Sequence, residues 1–232
     1  RMYLWMVVWL LLSTVLEAVR TGIGASILGL AFFYMLYKKS KSVPYIALMI
    51  ILFIGSIFAV PEVKEKMFGA DVDKVTLSNT GSAKITMNGR DTAWKLTMEH
   101  FYKGRELKGS GCGSSLAWYK EYSKGGKGAG LIHSDWVQML CESGNIGLGF
   151  YIVFALVMLL IVLSETWKYK DYLSITFAGA LTVASFVACF FAMGFDNVIT
   201  YAQQGYVIPF IFLGIFYKFK DLNNDFCSNT SI

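Results

Sequence analysis

The sequence predicts an all-α integral membrane protein with about six transmembrane helices and one long extracytoplasmic loop that bears an amphipathic helix. Of the 232 residues, 55% are hydrophobic, the mean hydropathy is +0.50, and the apolar residues occur in long runs rather than at amphipathic spacing. Because the sequence opens at Arg1 with neither an initiator methionine nor a signal-peptide pattern, we expect it to be the C-terminal part of a larger multi-span protein.

Six apolar stretches are predicted to be spans, the first of them short at its start, since crossing the ~30 Å hydrocarbon core takes ~20 mostly apolar residues. They are residues 2–16, 22–37, 43–60, 145–163, 172–194 and 202–217. We therefore expect three transmembrane helices in residues 1–60, an extracytoplasmic loop region in 61–132, three transmembrane helices in 133–220, and a cytoplasmic tail in 221–232.

Basic residues predict the orientation, because short loops rich in Lys and Arg stay on the cytoplasmic side. Outside the long loop there are nine such residues, and eight of them fall where alternating spans place the cytoplasmic face. The exception is Arg20, between the first two spans. An arginine near hydrocarbon is costly, so Arg20 either binds a ligand, or snorkels toward headgroups, or pairs with Glu17.

The long loop has order of its own. Between residues 91 and 103, Trp94, Met98 and Phe101 recur at helical spacing, which predicts an amphipathic helix on the membrane surface. The glycine-dense segment GSGCGS at residues 109–114 follows. It is either a plain turn or a cradle whose backbone N–H groups hold a phosphate.

His133 stands just before a predicted helix. Asp135 and Gln138 form a variant of the capping box, so we expect the helix to begin near Trp136. The positive end of a helix disfavours an imidazolium by ~0.3–1 kcal/mol, so His133 there stays able to accept a proton. The alternative is a surface histidine that happens to precede a helix.

Glu142 follows in the same predicted helix, with Gly144, Gly147 and Gly149 after it. The glycines would let a neighbouring helix approach closely, and the carboxylate would tie helices together or hold a basic residue. In one continuous helix His133 and Glu142 point to opposite sides, so we expect Glu142 to orient another group rather than to form a dyad with His133.

These residues belong to three short motifs that resemble one family. The motifs are VRTG at 19–22, NGRxxxW at 88–94 followed by GxGxG at 109–113, and HSxxV at 133–137 followed by ExGxxG at 142–147. They are similar, in order, to the SR(T/G), SGRxxxW…GxGxG and HNxxL…ExGxxG signatures of the O-antigen ligase and polysaccharide polymerase family. The sequence departs at Val19, Asn88 and Ser134, and none of these changes removes a charge.

The resemblance implies glycosyl transfer from an undecaprenyl-diphosphate-linked oligosaccharide to an acceptor glycan. Arg20 and Arg90 would stabilise the departing diphosphate, Arg105 would contact donor or glycan, and His133 would be the general base. Glu142, Gly144 and Gly147 would orient these groups. No metal or other cofactor is expected.

The same resemblance implies a place and partners. The protein would lie in the bacterial inner membrane as a multi-pass enzyme, with its active site facing the periplasm or cell exterior. Its partners would be membrane lipids and a chain-length regulator, and nucleic acid is not expected among them.

Two subclasses and one other class stay open. A polymerase uses a second lipid-linked repeat unit as acceptor, and polymerisation of O-antigen or capsular repeat units is the expected activity. A ligase uses lipid A-core or another terminal acceptor. A transporter of anions or lipid-linked sugar would also use Arg20 and Arg90. Transporters typically contain inverted repeats or interrupted helices around a site at the middle of the membrane, which the six stretches do not indicate.

Overall fold

A computed structural model describes residues 20–38, 51, 90–124, 132–200 and 203–229. In this part of the chain all regular structure is helical, as predicted. The helices are α1 (Arg20–Lys38), α2 (Arg90–Thr97), α3 (Ser114–Lys124), α4 (Asp135–Lys168), α5 (Leu173–Phe195) and α6 (Gln203–Asn229). The spans expected at residues 2–16 and, apart from Ile51, at 43–60 lie outside the described residues.

Two helices in the described part, α4 and α5, are long and apolar enough to cross a membrane, and α1 contains the shorter apolar helix Thr21–Tyr37. The spans expected at 145–163 and 172–194 fall almost entirely within α4 and α5. The span expected at 202–217 falls almost entirely within α6, which continues well past residue 217.

Helix α5 lies at the centre and packs against α1, α4 and α6. Small residues allow this, since they let helix backbones approach closely. A Cβ on Gly179 of α5 would collide with the Thr166 hydroxyl of α4, and one on Gly29 of α1 would lie against Ala188 of α5. Gly24 of α1 faces Phe191. Helix α1 therefore runs antiparallel to α5, and its first turn lies near the end of α5.

Helix α4 is broken at Gly144, which has φ 66° and ψ −171°. The break divides α4 into a short first segment, residues 135–143, and a long apolar second segment, residues 145–168. The expectation of one continuous helix was wrong. Glycine adopts this non-helical backbone conformation readily, and the break that it makes leaves room for a loop.

The start of α4 differs slightly from the prediction. The helix begins at Asp135, and its N-cap is Ser134, whose Oγ accepts a hydrogen bond from the Val137 N–H at 3.3 Å. Asp135 does not cap the helix, since its carboxylate accepts the Ile199 N–H at 2.9 Å instead.

The amphipathic helix expected at 91–103 is observed as α2 and the π-helical turn Met98–Tyr102 that continues it. Phe101 is buried, whereas Lys95 and Glu99 are exposed. Residues 103–113, here called the glycine loop, then lead into α3, a helix that was not predicted from the sequence. Two residues of α3, Ser115 and Tyr119, are buried, and their hydroxyls bond to Glu142 of α4 and Thr97 of α2.

Candidate functional site

His133 is held in an unusual backbone conformation. Its φ is 55°, in the left-handed region, and it is the one non-glycine residue with a positive φ in the described chain. Such a conformation costs of order 1–3 kcal/mol and persists where the surroundings fix it. Here the His133 N–H donates to Asn197 Oδ1 at 2.7 Å, and Ser134 beside it is buried. Strain maintained in this way is typical of functional sites.

The His133 imidazole lies beside an aspartate. Its Nδ1 is 3.6 Å from Asp196 Oδ1, and the side chain is 32% exposed. Among the described residues this Nδ1 has no hydrogen-bond partner. The separation is longer than a hydrogen bond, but such contacts often tighten when substrate binds. If Nδ1 carries the proton and points it at Asp196, Nε2 is left with a lone pair that can accept a proton.

A buried chain of side-chain hydrogen bonds runs from His133 into α4. Asn197, which accepts the His133 N–H, donates through Nδ2 to Gln138 Oε1 at 3.1 Å and lies 3.5 Å from Asp135 Oδ1. Gln138 Nε2 then donates to Glu142 Oε1 at 3.3 Å. The side chains of Asn197, Gln138 and Glu142 are at most 8% exposed. Because water has little access to them, they satisfy their hydrogen-bonding groups with one another.

Glu142 connects this chain to the glycine loop. Its Oε2 accepts the Gly113 N–H at 2.9 Å, and its Oε1 accepts the hydroxyl of fully buried Ser115. Every neighbour that the carboxylate contacts in these bonds is therefore a donor, which suits a group whose oxygens act as acceptors.

The backbone groups freed by the break in α4 also bond to the glycine loop. The carbonyls of Cys141 and Glu142 accept the N–H groups of Ser110 and Gly111, both at 2.9 Å. In the other direction, the N–H groups of Asn145 and Ile146 donate to the carbonyls of Glu106 and Leu107 at 2.7 and 3.2 Å. We call these mutual bonds, between residues 106–113 and 141–146, the junction.

Glycines make the junction sterically possible. A Cβ on Gly144 would collide with the Leu107 carbonyl, and one on Gly109 would collide with the Glu142 carbonyl. The close approach expected from the ExGxxG glycines is thus made by a loop and not by a helix. Because the amides of Gly111 and Gly113 donate to Glu142, this loop is a turn bound to α4 and not an open phosphate cradle. Gly147 avoids a collision with the Ser143 side chain beside the break.

The predicted arginines lie on three different elements. Arg20 and Arg90 are the first residues of α1 and α2, and their side chains lie outside the description. The start of α1 lies near the end of α5 that leads into Asp196. Helix α2 is tied to the segment before α4 by the Trp94 Nε1–H, which donates to the Ile132 carbonyl at 2.9 Å. Helix α1 therefore begins near the end of α5 that leads into Asp196, and α2 contacts the segment that contains His133.

Arg105 is exposed in the glycine loop. The turn around it is fixed by the Gly104 N–H, which donates to Glu106 Oε1 at 2.8 Å. This hydrogen bond lowers the pKa of the exposed Glu106 carboxyl below its usual value. The turn therefore presents the Arg105 guanidinium and the Glu106 carboxylate to solvent side by side.

Asp196 and Asn197 were not predicted from the sequence, and no contact was assigned to Ser115. Gln138 was assigned only to the capping box with Asp135, whereas its side chain bonds to Asn197 and Glu142. One signal was available: in MGFDNV, two polar residues follow directly after the apolar run that forms α5. Polar groups at the end of such a run need partners, and those without an evident one are candidates for a functional site.

The amino-acid sequence matches one known family. A family described as O-antigen ligase matches residues 5–152, which is more than half of the chain. No curated protein and no solved structure matches the chain. The matched region contains His133, Glu142 and the glycine loop, whereas Asp196 and Asn197 lie beyond its end.

Proposed function

The chain belongs to the O-antigen ligase family, and we propose that it transfers a glycan from an undecaprenyl-diphosphate donor to a sugar hydroxyl outside the cytoplasm. Membership confirms the resemblance carried by the motifs, and it implies a membrane glycosyltransferase-like enzyme acting on a lipid-linked glycan. The observation that carries the proposal furthest is the partly exposed, strained His133 with Asp196 beside its Nδ1.

The donor chemistry suits arginines. The leaving group is already a diphosphate, so the enzyme has to stabilise its developing negative charge and position the acceptor. We assign Arg20 and Arg90 to the diphosphate, because a guanidinium offers a planar fork of donors that matches phosphate oxygens. Arg105 would contact the donor or its glycan. Since the charge is assigned to arginines, we expect EDTA to leave activity unchanged.

The acceptor chemistry is assigned to His133. Its Nε2 takes the proton of the acceptor hydroxyl while the hydroxyl oxygen bonds to the anomeric carbon and the bond from that carbon to the diphosphate oxygen breaks. Asp196 accepts the Nδ1–H and stabilises the imidazolium that forms. A single displacement of this kind inverts the anomeric configuration.

We propose a polymerase, whose acceptor is a second lipid-linked repeat unit. A second candidate is a ligase, which the name of the matching family favours. The two differ only in the acceptor, so purified lipid-linked repeat units should be offered alone and together with lipid A-core. A ladder of extended products without lipid A-core supports the polymerase, whereas product that requires lipid A-core supports the ligase.

The direct test is His133→Ala in membranes that contain the protein. Loss of a general base should slow transfer ~10²- to 10⁴-fold while the protein still inserts and accumulates. The chain contains two histidines, so His100→Ala is a matched control. His100 is exposed and packs against Trp118, and its loss should leave transfer near the wild-type rate. Normal transfer by His133→Ala would reject the proposed base.

Arg20→Lys tests whether Arg20 supplies geometry as well as charge. Replacing a bidentate guanidinium by a point charge loses one charge-assisted bond of ~1.5–3 kcal/mol, which should slow transfer roughly ten- to a hundredfold at saturating donor. If Arg20→Lys turns over at the wild-type rate, the diphosphate role is rejected, and Arg20 either snorkels toward headgroups or pairs with Glu17.

The proposed orientation is tested separately. In a cysteine-free background, single cysteines at Ser40 and Ser123 should react with an impermeant label from opposite sides of the membrane. Labelling of both positions from outside would contradict an extracytoplasmic active site.

A further inference from the structure

The buried bonds between His133 and Glu142 have a fixed direction. At one end, the His133 N–H is a backbone group that can only donate, so the Asn197 side chain must present its oxygen there. Its Nδ2 is then directed at Gln138 Oε1. Gln138 must in turn present Nε2 to the next group, which is the Glu142 carboxylate. Each amide can satisfy both of its neighbours in one orientation only.

We propose that Asn197 and Gln138 form a directional amide relay that positions His133 and couples it to Glu142 and, through Gly113 and Ser115, to the glycine loop. The relay members are positioning residues, since none of them is assigned a contact with substrate. Glu142 supplies the acceptor that fixes the far end of the relay, and the junction holds Glu142 in place. This inference rests on the proposed role of His133.

The relay accounts for a feature that the proposed chemistry leaves unexplained. The left-handed backbone of His133 needs a restraint, and among the described residues Asn197 supplies the acceptor for its N–H. Asp196, the preceding residue, lies beside the ring. If Asn197 rotates or loses its amide, the backbone and the ring of His133 both lose their position relative to the acceptor hydroxyl.

The direction of the bonds can be tested by exchanging two relay members. Gln138→Glu places two carboxylates against each other, because the new carboxylate can accept from Asn197 but cannot donate to Glu142. Glu142→Gln keeps an acceptor either toward Gln138 and Ser115 or toward the Gly113 N–H, but turns an N–H₂ group toward the other side. The double variant Gln138→Glu with Glu142→Gln restores a donor for every acceptor from Asn197 to Gly113.

We expect three levels of turnover. Because misplacement of a reacting group by about 1 Å can cost a hundredfold, Gln138→Glu should lower kcat roughly ten- to a hundredfold, and Glu142→Gln less. The exchanged double variant should recover to within roughly threefold of wild type, as a satisfied network should. The KM for the lipid-linked donor should stay near its wild-type value throughout, because the relay is proposed to act on the position of His133 and not on donor binding.

A second measurement needs no substrate. The rate at which diethylpyrocarbonate modifies His133, followed by peptide mass spectrometry, reports the exposure and mobility of its ring. This rate should rise at least severalfold in Gln138→Glu and in Asn197→Ala, and return in the exchanged double variant. Thr182→Val is the matched control: Thr182 is fully buried in α5 outside the relay, and its substitution should change neither the modification rate nor kcat.

The outcomes separate this inference from the proposed function. If His133→Ala abolishes transfer while Gln138→Glu turns over at the wild-type rate, the relay is rejected and the general base stands. If the exchanged double variant is as impaired as Gln138→Glu, direction is not what matters and the relay is rejected as well. If His133→Ala is active, the general base is rejected, and the modification rate of His133 alone decides the relay.

Discussion

The two segments of α4 differ in the kind of side chain that they bury and in the bonds that they make to other elements. In the first segment, residues 135–143, the buried polar side chains Asp135, Gln138 and Glu142 bond to groups from α3, the glycine loop and the region after α5. In the second segment, large apolar side chains such as Phe150, Phe154 and Leu160 are exposed, and the buried Thr166 hydroxyl donates to the Val162 carbonyl of its own helix.

The difference shows which contacts fix the position of a helix segment relative to its neighbours. An apolar face can rotate or slide against another apolar surface at small cost, because the hydrophobic effect has no direction. A buried hydrogen bond holds only in one geometry, and breaking it leaves an unsatisfied group. The segment next to His133 uses many such bonds between separate elements, whereas the segment beyond the break uses few.

Gly144→Ala should have the largest effect on this comparison, since it acts at the boundary between the segments. A Cβ would be strained at φ 66° and would collide with the Leu107 carbonyl, so we expect a loss of roughly 3–5 kcal/mol of stability and of the junction. Thermal unfolding in detergent and limited proteolysis of the glycine loop would measure both.

Gly149→Ala is the matched control in the same helix. A Cβ there meets open space, so removing a helical glycine should be neutral or stabilising by about 0.5–1 kcal/mol. Equal unfolding temperatures for the two alanine variants would mean that the break at Gly144 is not required by the fold.

The helices of the apolar region could be predicted from the sequence because their signal is local. Long apolar runs and ~20-residue lengths identify most of α5 and the second segment of α4, and helical spacing around Trp94 identifies α2. The break at Gly144 could not be predicted in this way, because glycine is also common in unbroken transmembrane helices and the Leu107 carbonyl that requires it comes from another part of the chain.

The candidate site was predicted only in part for the same reason. His133 and Glu142 stand out by residue type and motif, and their assigned roles remain predictions. Asn197 could not be assigned as a partner, since its bonds to His133 and Gln138 span about 60 residues of sequence. Such contacts depend on how α5 packs against α4, which neither composition nor spacing determines.

Ser115→Ala should have the next largest effect. The Ser115 hydroxyl is fully buried and donates to the Glu142 carboxylate, so its loss should cost about 1.5–3 kcal/mol. Ser185→Ala is the comparison in α5, because the Ser185 hydroxyl donates at 2.8 Å to the Thr182 carbonyl of its own helix. That variant should cost less than about 1 kcal/mol. Equal losses in thermal unfolding would show that bonds between elements carry no extra weight.

The smallest expected effect comes from two threonines, and it isolates the comparison most cleanly. Thr97 and Thr182 are both fully buried, and each hydroxyl donates to the carbonyl four residues earlier, Ala93 at 2.7 Å and Ala178 at 2.8 Å. Thr97 also lies 3.0 Å from the Tyr119 hydroxyl of α3.

Valine keeps the branched shape in both cases. In Thr182→Val the carbonyl keeps its helical partner and a buried methyl group is gained, so stability should change by at most about 0.5 kcal/mol. In Thr97→Val a contact between two helices is lost as well, which should add about 1 kcal/mol. Unfolding temperatures of the two variants, measured side by side, give that difference directly. If Thr182→Val proves the more damaging change, bonds within a helix matter more here than bonds between elements, which contradicts the weight given to bonds between elements in the first segment of α4.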